Sequence, residues 1–230
     1  MSHCQPVRLV LFDIDGTLIQ SGGAGEKAFA WVGEAEFGIS NGTTGLFFAG
    51  RTDPAIVRDF FVQHGIPTTS ANFQRFFARY VFYLDHLLGQ LDGCVLPRVE
   101  EWLAGLGALP QRPLVGLLTG NILLGARLKL GHYGLWDHFR LGAFGDDHEN
   151  RNELAAIALE RGRGWLGKAL AGSEVLVIGD TPKDIECARA IGARCLAVAT
   201  GRYSVAELER EDPNWAVEDL SKLSPHEACG

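Results

Sequence analysis

Residues Val7–Thr17 read VRLVLFDIDGT. The first six residues are largely apolar, and a run that is apolar on both faces is typical of a buried parallel strand. The run ends at Asp13 and Asp15, which are followed by Gly16. Because open α/β sheets bind ligands beyond the carboxyl ends of their strands, we expect this segment to form a central strand and one wall of a binding site.

Later parts of the chain repeat the apolar strand pattern and alternate it with helical patterns. Strands are predicted at Leu114–Leu118, Phe139–Phe144, Glu174–Gly179 and Arg194–Val198. Helices are predicted at Pro97–Leu106, Ile122–Gly131, Asn152–Gly162 and Thr181–Ile191. Strands that alternate with helices predict an α/β fold with a Rossmann-like parallel sheet.

Residues 20–93 interrupt this alternation, because they contain helical patterns without a convincing strand. Two helices are predicted at Glu26–Phe37 and Asp53–His64, and a third carries apolar residues at helical spacing from Phe73 to Leu91. This segment holds ten of the 13 phenylalanines, which we expect to fill the core of a small helical bundle. We therefore predict a helical cap, residues 20–93, inserted into an α/β core of residues 1–19 and 94–230.

Composition limits the classes of function. The 230 residues are 47% hydrophobic and 21% charged, which is typical of a globular protein. The net charge of −7 argues against a broad nucleic-acid surface, which would need clustered Lys and Arg. No apolar run approaches the roughly 20 residues of a membrane span. The five cysteines include no C-x-x-C pair, which favours reduced thiols and a cytoplasmic protein. Taken together, the charge and the short apolar runs predict no nucleic-acid partner and no membrane partner.

The sequence Asp13-Ile14-Asp15-Gly16-Thr17 is the sharpest chemical signal in the chain. Two carboxylates at a strand end can share a divalent cation, and one of them can attack an electrophile. Gly16 would let the backbone approach a phosphate closely. The alternative is an Asp-Gly turn that only ends the strand.

Two later strand ends carry comparable residues. Leu117-Leu118-Thr119-Gly120-Asn121 places a hydroxyl and a helix N-terminus where phosphate oxygens could bind, although Thr119 or Asn121 could simply cap the helix. Gly179-Asp180-Thr181-Pro182-Lys183-Asp184 places an acidic pair at another strand end. Thr181 and Asp184 also fit a capping box, and that role is compatible with a functional one.

With these motifs in this order, the whole chain resembles the haloacid dehalogenase superfamily of phosphohydrolases, and within it the phosphoglycolate-phosphatase-like group. The resemblance implies that Asp13 is the nucleophile and that Asp15 is the general acid and base. It implies a Mg²⁺ ion held by Asp13, the backbone carbonyl of Asp15 and Asp180, with Asp184 holding a water at the metal or steadying the loop.

The same resemblance implies binding roles for several further residues. Thr119, with Gly16, Gly120 and Asn121, would hold the phosphate. Arg51, just before a cap helix, could bind a second anionic group of the substrate, or it could merely lie at a helix start.

The third family motif departs from the expected pattern. The family usually has a Lys somewhat over twenty residues before the acidic strand end, and here Arg151 is the candidate, with Lys168 and Lys183 as alternatives. Arg can pair with a carboxylate through a bidentate fork, but it is not equivalent to Lys. Asp146, Asp147 and His148 resemble a second metal site, although we expect a polar loop there.

The resemblance implies a Mg²⁺-dependent phosphatase of small phosphorylated metabolites, nominally phosphoglycolate, acting through a phospho-aspartyl intermediate. The carboxylate at Asp15 makes a dehalogenase improbable, because dehalogenases of this family lack that acid. A sugar phosphomutase on the same core, or a non-catalytic binding protein on the scaffold, remains an alternative. The sequence does not indicate the oligomeric state.

Overall fold

The five strands predicted from the sequence are present in the predicted order, together with three short strands that were not predicted. In the computed structural model, which describes residues 5–167 and 169–230, they are β1 (Leu9–Phe12), β2 (Ile19–Gln20), β3 (Cys94–Val95), β4 (Leu114–Leu118), β5 (Leu141–Ala143), β6 (Val175–Gly179), β7 (Arg194–Val198) and β8 (Trp215–Val217). Six of them form one sheet in the order β5-β4-β1-β6-β7-β8, and every neighbouring pair is parallel. The predicted α/β class with a Rossmann-like parallel sheet is confirmed.

The α-helices of the described residues are α1 (Ala24–Phe37), α2 (Asp53–Gln63), α3 (Ser70–Leu88), α4 (Val99–Ala108), α5 (Leu123–His132), α6 (Arg151–Leu166), α7 (Pro182–Ala190), α8 (Val205–Glu209) and α9 (Pro225–Cys229). The sequence predicted α1 to α7 with small differences at their ends. It did not predict α8, α9 or the edge strand β8, which are short elements near the C-terminus.

Side chains of β1 alternate between two core layers, one on each face of the sheet. Val10 and Phe12 lie in the layer that includes α4, α5 and α9, whereas Leu9 and Leu11 lie in the layer under α6 and α7. All four side chains are fully buried. This double burial explains why the strand is apolar at successive positions, since helices cover both faces of a parallel sheet.

Helices α1, α2 and α3 surround a third hydrophobic cluster of their own. Its centre is aromatic, with Phe29, Phe60, Phe76 and Tyr80 buried and packed mostly edge to face. Such pairs prefer edge-to-face geometry because the ring edge is positive and the ring face negative. The phenylalanine-rich segment is therefore mainly a packed core.

The chain enters and leaves this helical region through a short antiparallel pair, in which β2 lies beside β3. The pair falls at the two boundaries expected from the sequence, near residues 19–20 and 93–94. We propose that residues 20–93 are a cap domain that closes over the core.

The register of the sheet brings three strand ends together. Phe12, the last residue of β1, lies opposite Leu117 of β4 and Ile178 of β6. The polar residues that follow these strands therefore share one edge of the sheet. Among the described residues, no helix is both long enough and apolar enough to cross a lipid bilayer.

Candidate active site

Asp13 follows β1 directly and is almost completely buried. Its backbone N–H donates to the Ile178 carbonyl at 2.9 Å, which extends the sheet pairing by one residue and fixes the start of the loop. Burial raises the pKa of Asp13 to about 6; the Arg151 guanidinium opposes this rise and the Asp184 carboxylate adds to it. Asp13 is thus a desolvated carboxylate at a rigid position.

Three buried carboxylates meet at this edge of the sheet. One oxygen from each of Asp13, Asp180 and Asp184 lies within 4.8 Å of the others. Burial, together with the charges of Asp184 and Asp13, raises the pKa of Asp180 to about 9. A Cβ on Gly16 or Gly201 would collide with the Asp180 carboxylate, so this tight enclosure requires glycine at both positions.

Arg151 is the cation in direct contact with these acids. It opens α6, and its Nη1 lies 3.6 Å from Asp13 Oδ2 while its Nη2 pairs with Asp184 Oδ1. Burial by itself would lower the pKa of Arg151, but the Asp184 and Asp13 carboxylates raise it above its usual value. Arg151, our candidate for the role of the family's lysine, is therefore a charged guanidinium beside these acids.

One of the two alternatives to Arg151 has a partner of its own away from the acids. Lys183 is exposed on α7, where its Nζ donates to Glu186 at 2.6 Å. Lys168 lies outside the described residues.

Asp184 has its carboxylate occupied by protein donors. Its Oδ2 accepts hydrogen bonds from the Thr181 backbone N–H at 3.0 Å and from the Thr181 hydroxyl at 2.7 Å, while its Oδ1 pairs with Arg151. The capping interaction expected at the start of α7 is therefore present, and the same carboxylate orients Arg151. This arrangement favours the loop-steadying role over direct contact with a metal.

The loop after β4 is folded on itself and against the cap. The Asn121 backbone N–H and side-chain amide both donate to the Thr119 hydroxyl oxygen, at 3.3 and 2.9 Å, which leaves the hydroxyl proton available for an outside acceptor. A Cβ on Gly120 would collide with the Arg51 backbone carbonyl, so glycine is required for the cap to approach this closely.

Asp15 belongs to a second polar group, separate from the three acids. Its Oδ2 accepts hydrogen bonds from Lys129 Nζ at 2.6 Å and from the Asn121 side-chain amide at 2.8 Å. Lys129 Nζ also donates to Asn121 Oδ1 at 2.7 Å. The two acids of the first motif therefore have different surroundings, which suits two different chemical roles.

Cap residues contact the core around these loops. Asp53, the first residue of α2, is buried, and its Oδ2 accepts the Ile122 N–H at 2.9 Å. Burial raises the pKa of Asp53 to about 7, against the opposing charge of Lys129. Arg51, two residues before α2, pairs with Asp59 of that helix, so part of its charge is already used within the cap.

The cluster at residues 146–148 is a polar loop in this structure. Asp147 forms two hydrogen bonds with the Arg161 guanidinium, at 2.6 and 2.7 Å, and accepts the Phe144 N–H. Asp146 accepts the Leu123 N–H, and His148 Nδ1 accepts the Asn150 N–H at 3.0 Å. In the part of the chain that the structure describes, these residues form no metal-type cluster.

A cavity of about 450 Å³ joins the two polar groups. One end is charged, with the carboxylates and Arg151, and the cap supplies an opposite wall that includes Phe29, Phe48, Ile56 and Tyr80. Pockets that combine an apolar wall with a few convergent polar groups are typical of small-molecule sites. Arg51, Gly16, Gly120 and Asn121 all line this cavity, whereas Thr119 is fully buried beneath it.

The sequence reasoning missed Lys129 and treated Asp53 only as a residue at a helix start. Lys129 occupies a buried position of α5, beside Gly125, Ala126 and Leu130. A lysine on the apolar face of an amphipathic helix was the available signal, because a buried ammonium group needs a partner.

The donor set suits a hard divalent cation. Asp13 and Asp180 supply carboxylate oxygens, the ligand type that Mg²⁺ prefers. Among the described residues, three carboxylates face one arginine in direct contact, and burial together with the charges of Asp184 and Asp13 raises the pKa of Asp180. A divalent cation would supply further positive charge.

Comparisons with known proteins find relatives among phosphatases. Residues 152–223 match a family model described as "HAD-hyrolase-like". The phosphoglycolate phosphatase of Pectobacterium atrosepticum is 26% identical over 98% of this chain and 94% of its own length. That of Pseudomonas savastanoi pv. phaseolicola is also 26% identical, over 95% of this chain and 79% of its own. These similarities support a protein of the haloacid dehalogenase superfamily that resembles phosphoglycolate phosphatases.

Solved structures of superfamily members share the fold. A haloacid dehalogenase-like hydrolase from Streptococcus pneumoniae superposes with a TM-score of 0.69 at 19% identity, covering 93% of this chain and 94% of that one. CbbY from Rhodobacter sphaeroides, solved in complex with phosphate, gives 0.67 at 14% identity, over 86% and 89% of the two chains. The predicted enzyme class, a phosphatase similar to phosphoglycolate phosphatases, is confirmed by the curated relatives.

Proposed function

We propose that this protein is a Mg²⁺-dependent phosphatase that hydrolyses small phosphate monoesters, of which phosphoglycolate is the nominal example, through a phospho-aspartyl intermediate. The observation that carries this proposal is that the two aspartates of the first motif, Asp13 and Asp15, have different surroundings. Asp13 is buried against Arg151 among the other acids, while Asp15 lies two residues away with its side chain 43% exposed.

Asp13 is suited to be the nucleophile. Its position is fixed by the sheet, and its carboxylate faces the cavity beside Arg151. Arg151 would balance negative charge that develops on the phosphoryl oxygens, as arginine does in other phosphoryl-transfer sites. We propose that the hydroxyl proton of Thr119 and the backbone amides of Gly120 and Asn121 hold further phosphoryl oxygens.

Asp15 is suited to move protons. Its carboxylate reaches the cavity and is outside the three-acid cluster. It would protonate the leaving alcohol in the first step and accept a proton from water in the second. Asp13, Asp180 and the Asp15 backbone carbonyl would hold Mg²⁺, with Asp184 and Thr181 steadying the loop, and the ion would offset repulsion between Asp13 and the phosphate.

The cap would determine which ester is hydrolysed. It closes the cavity with both aromatic and charged groups, and a volume of about 450 Å³ suits a small metabolite. Arg51 is our candidate for contacting an anionic group on the leaving alcohol, since it is a cationic residue that lines the cavity. The relatives' printed activity supports phosphoglycolate as the first substrate to test.

The decisive experiment measures phosphate release from a panel of phosphate monoesters, with Mg²⁺ and with EDTA. Wild type is compared with Asp13→Asn and with Asp137→Asn, which removes an exposed carboxylate away from the cavity as a matched control. We expect turnover to require both Mg²⁺ and Asp13 and to survive in the control. Acid quenching during turnover should trap phosphate on Asp13, as detected by mass spectrometry.

Three results would contradict the proposal in different ways. Turnover by Asp13→Asn would show that another group is the nucleophile. Isomerisation of a sugar bisphosphate without phosphate release would identify a phosphomutase. Binding of phosphate esters by wild type without any turnover would identify a non-catalytic scaffold.

A further inference from the structure

We propose that Lys129 is a positioning residue for proton transfer: with Asn121, it holds Asp15 Oδ2 so that Asp15 Oδ1 faces the leaving oxygen of the substrate. This inference rests on the proposed function, which gives Asp15 the proton-transfer role. It adds a residue from α5 that lies outside the sequence motifs.

The first support is the burial and pairing of Lys129. Its side chain is 5% exposed, and its Nζ lies 2.6 Å from Asp15 Oδ2 and 2.7 Å from Asn121 Oδ1. An ammonium group in such a place is costly unless it is paired and hydrogen-bonded. Both partners of Lys129 lie in the active-site cavity, so the cost is met by groups at the site rather than by a structural ion pair elsewhere.

The second support is that both donors bind the same oxygen. The Asn121 amide donates to Asp15 Oδ2 at 2.8 Å, so Oδ2 accepts two hydrogen bonds, while the described residues provide no donor to Oδ1. Asn121 is itself held by Thr119, to whose hydroxyl oxygen the amide donates at 2.9 Å. The Asp15 carboxylate is therefore fixed in rotation, with Oδ1 as the oxygen free to exchange a proton.

The third support is the packing of helix α1 against the ammonium group. A Cβ added to Gly25 of α1 would lie 3.5 Å from Lys129 Nζ and 3.7 Å from the Tyr80 hydroxyl. Helix α1 therefore approaches the buried Lys129 side chain of α5 to ordinary van der Waals distance. Such packing keeps the side chain in one position, as a positioning group requires.

The chemistry balances without any additional reactant. An oxygen of Asp13 forms a bond to phosphorus, and the bond from phosphorus to the leaving oxygen breaks with its electron pair on that oxygen. The leaving oxygen takes the proton from Asp15 Oδ1, and the resulting carboxylate faces the Lys129 ammonium. In the second half-reaction, a water molecule gives a proton to Asp15 and its oxygen bonds to the phosphorus. The bond between phosphorus and the Asp13 oxygen breaks, which restores the Asp13 carboxylate and frees phosphate.

The test uses the dependence of the rate on the leaving group. Lys129→Met keeps the length and volume of the side chain but removes the ammonium. We compare kcat/KM for an alkyl phosphate, the best substrate of the panel, with kcat/KM for para-nitrophenyl phosphate, whose leaving group departs without protonation. Because kcat/KM includes steps only up to departure of the leaving group, it isolates the acid step.

We expect Lys129→Met to lower kcat/KM for the alkyl phosphate by roughly 100-fold, at the lower end of general acid catalysis. The value for para-nitrophenyl phosphate should stay within about threefold of wild type, by the same reasoning that this ester needs no proton. Lys222→Met, which removes an exposed lysine outside the cavity, should change neither value. In an Asp15→Asn background, Lys129→Met should cause no further loss on the alkyl ester, because the group that it positions is already absent.

Equal losses on both esters would overturn the inference, because they would show a general structural role for Lys129. An undiminished alkyl rate in Lys129→Met would overturn it as well, as would additive losses in the double variant. If Lys129→Met does not fold, Lys129→Arg keeps the cation, and the ratio of the two rates should then stay nearer to wild type. A wild type without turnover on either ester would overturn the proposed function and this inference together.

Discussion

Replacing Asp180 with asparagine should make the metal-free protein more stable while abolishing its activity. The Asp180 carboxylate is 4% exposed, and its pKa rises from 3.8 to about 9 because of burial and of the charges of Asp184 and Asp13. The folded state must therefore keep this group protonated, or bear the cost of its charge. An asparagine amide has nearly the same shape and carries no charge, so it fits between Gly16 and Gly201 without that cost.

The magnitude follows from proton linkage. A carboxyl group whose pKa is higher in the folded state than in the unfolded state lowers the free energy of unfolding as pH rises. This loss begins near the unfolded pKa and is complete above the folded pKa. At pH 7 the interval above 3.8 is about three units, and each unit is worth about 1.4 kcal/mol. The upper limit of the gain in Asp180→Asn is therefore about 4 kcal/mol. Since the three acids share their repulsion, we expect between about 1 and 4 kcal/mol.

The assay is urea unfolding in EDTA at several pH values between 4 and 8. We expect the stability advantage of Asp180→Asn to be small near pH 4 and to increase towards pH 8. At this chain length, each kcal/mol corresponds to about 2–4 °C in Tm. Adding Mg²⁺ should stabilise wild type by mass action and have much less effect on the variant. Asp137→Asn, an exposed acid, serves as the control.

The reasoning would be refuted by a variant less stable than wild type in EDTA at pH 7. An advantage independent of pH would also refute it, because it would have no connection with the ionisation of Asp180. Equal stabilisation of both proteins by Mg²⁺ would contradict the assignment of Asp180 as a metal ligand.

Three further substitutions test other parts of the structure. Arg151→Met should lower phosphate release by orders of magnitude. It should also destabilise the fold by about 3–5 kcal/mol in urea unfolding, because it leaves buried carboxylates unpaired. A wild-type rate would show that another cation binds the phosphate. Gly120→Ala should reduce turnover more than stability, because its Cβ would push on the Arg51 backbone and displace the cap; unchanged kinetics would mean that the cap need not sit so closely. Phe76→Ala should cost about 3–5 kcal/mol in the same unfolding assay, since the ring is fully buried at the centre of the helical cap, and a loss below about 1 kcal/mol would indicate that the cluster collapses to fill the space.

The strands of the sheet could be predicted because each central strand is a short run of apolar residues that is recognisable in the sequence. β1 is apolar at successive positions since both of its faces are covered, and β4, β6 and β7 agree with their predicted positions to within two residues. The edge strand β8 was missed because Trp215–Val217 is only half-buried and short, so its pattern does not differ from a loop. β2 and β3 have two residues each and form only because the ends of the helical region meet.

The candidate site was predictable where a residue directly follows a strand. Asp13 and Asp180 meet because parallel strands end at the same edge of the sheet, where Thr119 also follows β4. Arg151 was a harder inference, since its guanidinium reaches the acids from the start of a helix. The structure places it against Asp13 and Asp184, where the sequence could offer only three basic candidates.

The sequence by itself determined the parallel α/β sheet, the helical region within it and the acids at the strand ends, because each depends on residue type and local spacing. Only the tertiary structure decided how the side chains are paired. Lys129 meets Asp15 across 114 positions of sequence, and Asp53 meets Ile122 across 69. Such contacts depend on how α5 and the cap pack together. A charged side chain needs a specific partner only when tertiary packing has removed it from water, and local sequence does not determine that packing.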